Sequence, residues 1–131
     1  MPSFSQKSLR KLDDAHPIWQ SILNEAIEHV DFTIIETFRN EERQNAMFQK
    51  GQSQLRWPDS KHNVRPSMAV DIAPYPIDWD DLSRFYRLVG FIEGLAWTRG
   101  VEIRAGIDWD RDWEHMDNRF NDAVHIELYG V

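Results

Sequence analysis

From residue 17 onward an apolar side chain recurs about every fourth position. In "PIWQSILNEAIEHV" (17–30), Ile18, Ile22, Ala26 and Val30 keep that spacing, Ile27 widens the stripe, and Pro17 takes a favoured first position. This pattern predicts a helix. A shorter helix is expected over 8–15, with Ser8 as its N-cap and the break at His16-Pro17. "NEERQNAMFQKG" (40–51) has an Asn cap, early glutamates and a closing glycine, and reads as a third helix. The longest helix is expected over 80–100, with Leu82, Phe85, Tyr86, Val89, Ile92 and Ala96 on one side and Gly100 ending it.

Between the helices the period changes to two. Residues 31–39, 69–75, 101–105 and 123–130 are short, β-branched or alternating, and read as strands. The two remaining stretches, 52–68 and 106–122, are long polar loops, a length more often functional than structural. Helices and strands in this order predict an α+β fold: a small antiparallel sheet with helices packed on one face. The 131 residues suffice for a single domain, 1–131, with one core.

Alternation along the strands sorts the chemistry. In "AVHIELY", Val124, Ile126 and Leu128 share one face, and His125, Glu127 and Tyr129 the other. In "AVDIA", Val70 and Ile72 share a face and Asp71 points away from them. His62 lies in the loop that feeds this strand. Taken singly, a strand histidine is more often a satisfied or exposed side chain, and a strand aspartate an edge residue. Taken together, two imidazoles and one carboxylate form a zinc ligand set that leaves a fourth position for water. The expected zinc site, His62, Asp71 and His125, therefore lies on the sheet face opposite the helices. His16 and His29 have bland readings, at a helix break and at a helix C-terminus. His115 lies in a polar loop and has no assignment.

Composition narrows the function. The formal net charge is −7, which argues against a nucleic-acid partner, since that needs a basic footprint. There is no cysteine, so neither a disulfide frame nor a thiolate metal site is available. No segment reaches the roughly 18 apolar residues of a membrane span, so no stable membrane association is expected. The opening "MPSFSQKSLRKLDDAHP" lacks the apolar region of a signal peptide.

"SKHNVRPSMAVDIAPYPIDW", followed by "DNRFNDAVHIELYG", resembles the zinc peptidases of the D-Ala-D-Ala carboxypeptidase and dipeptidase group. That group shares a Ser-x-His, then an Ala-x-Asp, then a Glu/Asp-x-x-His pattern. The nearer likeness is to phage endolysins that act as L-alanyl-D-glutamate peptidases, which "FSQKSLRKLDDAHPIWQSIL" and "TFRNEERQ" also resemble. The resemblance covers nearly the whole chain. Two positions depart from it: Ser67 and Thr37 stand where the group commonly has glycine. The nine residues from His62 to Asp71 are also a longer spacing than usual.

The resemblance implies His62, Asp71 and His125 as zinc ligands, Asp122 as catalytic acid/base, Arg39 as the arginine facing substrate, and Ser60 as a substrate-binding residue. It further implies peptidoglycan as partner, a monomer, and an enzyme held in the host cytoplasm until its release to the cell wall. Rival readings are a D-Ala-D-Ala carboxypeptidase or dipeptidase on the same scaffold and a non-catalytic zinc-containing wall-binding domain. Glu127 is the next candidate base. Arg39 also has a plainer reading, an ion pair with Glu36 or Glu42.

Asp108, Asp110 and Asp112 alternate as in the first half of a calcium loop. Trp113 replaces the EF-hand glycine and Arg119 the bidentate glutamate, so a full EF-hand is excluded. A looser Ca2+ site or a solvated acidic lip is left.

Overall fold

The computed structural model describes residues 2–113 and 122–130. Its elements run α1 (Gln6–Asp13), α2 (Pro17–Ala26), β1 (Phe32–Glu36), α3 (Glu41–Gln49), a 3-10 turn (Lys61–Asn63), β2 (Ala69–Pro74), α4 (Leu82–Thr98), β3 (Ile103–Ala105) and β4 (His125–Leu128). The strands form one antiparallel sheet in the order β1-β2-β4-β3. The expected α+β class is borne out; α1 begins and ends two residues earlier than expected, and the other elements are trimmed at one or both ends.

The sheet's apolar face carries Ile34, Val70, Ile72, Ile126 and Leu128, all at most 2 % exposed. Against it lie α2 and α4, through Trp19, Ile22, Leu23 and Ala26 of the first and Leu88, Val89, Ile92 and Ala96 of the second. Burying an aliphatic side chain of this size contributes about 1.5–3 kcal/mol, so this face carries most of the fold's stability. The observed stripe on α2 is turned from the expected one. Trp19 and Leu23 are fully buried, whereas Ile18 and Val30 only flank the core. A strict step of four drifts around a helix of 3.6 residues per turn, and the large indole takes the central place. On α4 Leu82 is likewise exposed, and Leu88 takes a core position instead.

Ser8 does not cap α1. Ser5 does, accepting a hydrogen bond from the Ser8 amide at 3.2 Å. The two serines are three residues apart and either could begin the helix. Ser8 instead turns inward, where its Oγ accepts from the Ile34 amide on the open edge of β1 (3.1 Å). Lys11 donates to the Ile35 carbonyl, also on that strand. These contacts occupy edge groups that would otherwise offer themselves to another strand. Asn40 caps α3 as expected, accepting from Arg43 N at 2.9 Å.

Candidate metal centre and catalytic cleft

Register puts the polar residues together. Asp71 lies directly opposite His125, and Glu127 lies between Ala69 and Arg104 on the neighbouring strands. Facing positions share a sheet face, so the polar side of β2 and β4 is one continuous surface away from the core. Val124 departs from the expected alternation: it sits in the turn before β4 and lines the cleft rather than the core. Tyr129 lies just past the strand's end and is 37 % exposed.

His62 reaches this surface from the 3-10 turn. The loop from 52 to 68 is thus not featureless. Ser60 Oγ accepts from the His62 amide (3.1 Å), and Asn63 Oδ1 accepts from the Ser60 amide (3.1 Å), closing a capping box. Ser67 and Thr37, the two departures from glycine, also hold this loop. Ser67 Oγ is hydrogen-bonding distance from the carbonyls of Thr37 (3.0 Å) and Ala69 (2.6 Å). Thr37 Oγ1 donates to the Lys11 carbonyl (2.7 Å).

Three atoms converge. His62 Nε2 is 3.1 Å from Asp71 Oδ1 and 3.3 Å from His125 Nδ1, and the latter two are 3.3 Å apart. All three residues are buried. The opposite ring nitrogens fix the tautomers. His62 Nδ1 lies 2.6 Å from the Thr37 carbonyl, which can only accept, so Nδ1 carries the proton. His125 Nε2 lies 2.7 Å from Glu127 Oε1, so its proton is there. In the neutral rings this leaves two imidazole lone pairs and a carboxylate pointing at one spot with no donor among them. A cation resolves that arrangement. The spacing also fits: ligand atoms about 2.0–2.1 Å from a tetrahedral zinc are about 3.3 Å from one another.

Charge follows the same logic. Burial alone would raise the Asp71 carboxyl, but His62 and His125 more than offset it and hold it well below the usual range. Burial opposes protonation of His125, yet hydrogen bonds with Asp71 and Glu127 push it up to about 9, so without a metal a proton takes the cation's part. Glu127 is lowered despite burial, by His125, Arg104 and Lys61. Its place behind the far nitrogen of His125 is that of a carboxylate that orients a metal-ligating imidazole.

The cleft has a volume of about 510 Å3. Its walls include Asp122, Arg39, Ser60, Arg104 and Trp109. Asp122 is raised by burial and by the charge of Asp71. Its backbone is clamped to Gly106: Asp122 N donates to Gly106 O (2.9 Å), and His125 N donates to Asp122 O (3.1 Å). A Cβ on Gly106 would lie 2.8 Å from Asp122 Cβ and would overlap its carbonyl, so glycine is required by packing. Arg39 is buried and pairs with Glu36, as its plainer reading has it, through Nε at 2.7 Å. It does more than that. Nη1 donates to Gln44 Oε1 (2.8 Å), and Nη2 lies 3.6 Å from Asp71 Oδ2.

Sequence reasoning missed Gln44, Trp109 and Arg104. Gln44 is fully buried on a helix that reads as polar, and Trp109 sits within an acidic loop, its ring centroid 5.2 Å from that of His125. Arg104 was legible, since it alternates out of an apolar strand. The acidic trio converges too, with ligand oxygens of Asp108, Asp110 and Asp112 within 4.8 Å of one another. Desolvation and hydrogen bonds with Asp112 and Asp108 push the Asp110 carboxyl up. His115 and Arg119 lie outside the described residues.

Comparison with known proteins agrees with this architecture. The L-alanyl-D-glutamate peptidase of Escherichia phage T5 is 29 % identical over 133 residues, covering 95 % of this chain and 96 % of that protein. The crystal structure of the Serratia marcescens L-Ala D-Glu endopeptidase ChiX shares the fold, with a TM-score of 0.76 over 96 % of this chain and 90 % of that one, at 22 % identity. The family model described as phage L-alanyl-D-glutamate peptidase matches residues 2–129, so the chain belongs to that family of peptidases.

Proposed function

We propose that the chain, as one catalytic domain, is a zinc-dependent endopeptidase that hydrolyses the L-Ala–D-Glu bond of the peptidoglycan stem peptide. The observation that carries the metal assignment is the convergence of His62 Nε2, Asp71 Oδ1 and His125 Nδ1 with no donor among them. The family and the T5 relative's name support the bond.

Held by these three residues, zinc would supply Lewis acidity, lowering the pKa of a coordinated water toward roughly 7 and polarising a carbonyl. Asp122 takes the proton of the attacking water and passes it to the leaving amine. Its place in the cleft wall, with His62, Asp71 and His125, suits it to carry that proton between the two steps. Arg39, fixed by Glu36 and Gln44, offers its guanidinium to the developing oxyanion. Ser60 spends its lone pairs on the His62 amide and keeps a hydroxyl proton to give to a peptide carbonyl in the cleft it lines. Glu127 keeps His125 in the ligating tautomer.

Metal analysis beside a digest of purified muropeptides tests the reading. One zinc per chain and products split between L-Ala and D-Glu are expected. Release of terminal D-Ala would instead favour the carboxypeptidase, and bound zinc with no cleavage the wall-binding domain. The enzyme would accumulate in the host cytoplasm as a monomer and reach the wall only on release. Fractionation of infected cells and light scattering check these two points.

Asp108, Asp110 and Asp112 would take calcium, which prefers oxygen donors. Calcium should then raise the melting temperature of the parent and not of Asp110→Ala. No shift in the parent would refute this second site.

A further inference from the structure

We propose that Arg104 is the receptor for the free carboxylate of the substrate's D-glutamyl residue. The inference rests on the function proposed above. Glutamate is a diacid, so whichever carboxyl carries the peptide onward, the other is an anion within one residue of the scissile bond. A cleft that selects this bond has a reason to hold a cation one residue away from the reacting centre.

Arg104 is placed for that. It stands opposite Glu127 on the metal face of the sheet, and it lines the cleft. Nε and Nη2 both donate to Glu127 Oε2, at 3.2 and 2.9 Å. Among the described residues nothing binds Nη1. The guanidinium carbon lies 5.4 Å from the Trp109 ring centroid and 5.5 Å from that of Tyr129, so two aromatic rings restrict its motion. From the metal-facing Nδ1 of His125 to this guanidinium the path crosses one imidazole and one carboxylate.

The local charge is in surplus. Glu127 is the one carboxylate shared by Arg104 and by Lys61, whose Nζ is 3.6 Å away. Arg104 and Lys61 are thus two cations set against one carboxylate, in a protein of net charge −7. The other basic groups nearby are spent. Lys61 also donates to the Leu128 carbonyl, and Arg39 is 5 % exposed and engaged with Glu36, Gln44 and Asp71. Lys61 is nearly as exposed as Arg104 but is not part of the cleft wall, so Arg104 is the exposed cation that lines the cleft.

Because Arg104 also braces Glu127, loss of activity alone would prove nothing. The test uses two synthetic stem peptides, one with the D-glutamyl carboxylate free and one with it amidated. Each is assayed for kcat/KM with the zinc-loaded parent, Arg104→Gln and Arg104→Lys, and the zinc content of each is measured. The parent should prefer the free acid by about 10- to 100-fold, the worth of a charge-assisted hydrogen bond in a cleft. In Arg104→Gln that ratio should fall to near one, and Arg104→Lys should keep part of it. A purely structural role would lower both peptides together and leave the ratio at its parental value, which overturns the assignment. So does a parent that cuts both equally, whatever the variants do. Cleavage of neither peptide by the parent would refute the proposed function itself, and this assignment with it.

Discussion

Replacing Gly106 by alanine should damage catalysis from a position outside the cleft lining. The added Cβ would sit 2.8 Å from Asp122 Cβ, with the Asp122 carbonyl closer still. Carbon atoms in contact are comfortable from about 3.5 Å, so the two segments must part by roughly 0.7 Å or more. They cannot part freely, because Gly106 N donates to His125 O (2.7 Å) and Asp122 N to Gly106 O (2.9 Å). Overpacking of this kind costs about 1–3 kcal/mol, so the melting temperature should fall by roughly 4–12 °C. Moving the acid/base by on the order of 1 Å should lower kcat by about 10²-fold. Most of the zinc should remain, since His62 and Asp71 lie on other segments. The assays are peptide turnover, a thermal melt and metal analysis on one preparation. A Gly106→Ala protein with parental turnover would refute the claim that this contact sets the position of Asp122.

Three further outcomes are expected. Glu127→Ala frees the far nitrogen of His125, and zinc affinity should fall about 10- to 100-fold in a chelator competition; unchanged affinity would remove Glu127 as the orienting group. Arg39→Lys keeps the charge but cannot reach Glu36, Gln44 and Asp71 together, so kcat should fall by about 10²-fold with zinc retained, as measured by turnover and metal analysis. Glu93 is pushed up to about 7 by burial and the charge of Asp108. In the fold it stays protonated where the unfolded chain is already ionised, so stability is lost as pH rises from about 4.5 to about 7 and is then level. Glu93→Gln should therefore melt higher than the parent at pH 7.5 and show no such gain at pH 4; an equal difference at both would contradict this.

What was legible in the sequence followed from period. The two-residue alternation in "AVDIA" and "AVHIELY" put Asp71 and His125 away from the core, and the register Asp71 opposite His125 then joined them. Alternation does not say which strands are neighbours, so the site needed either the family likeness or the sheet itself. The capping Asn40 was legible because its chemistry is local. Ser5 and Ser8 were not separable, since what decides between them is the Ile34 amide on a strand 26 residues away. Gly106 was silent for the same reason: its need for no side chain arises from Asp122, sixteen residues along the chain. Gln44 and Trp109 sit in polar surroundings in sequence and become site residues only when helix and loop close on the sheet.

The central claim is that Asp122 moves the proton and does not hold the metal. The direct measurement is zinc content and peptide turnover of Asp122→Asn beside the parent. The amide keeps the shape and the backbone contacts with Gly106 and His125, and it removes the base. The account predicts about one zinc per chain in both proteins, similar melting, and turnover lower by about 10²-fold or more in the variant. Loss of zinc would make Asp122 part of the metal site, and near-full turnover would place the base on another residue; either result contradicts the account.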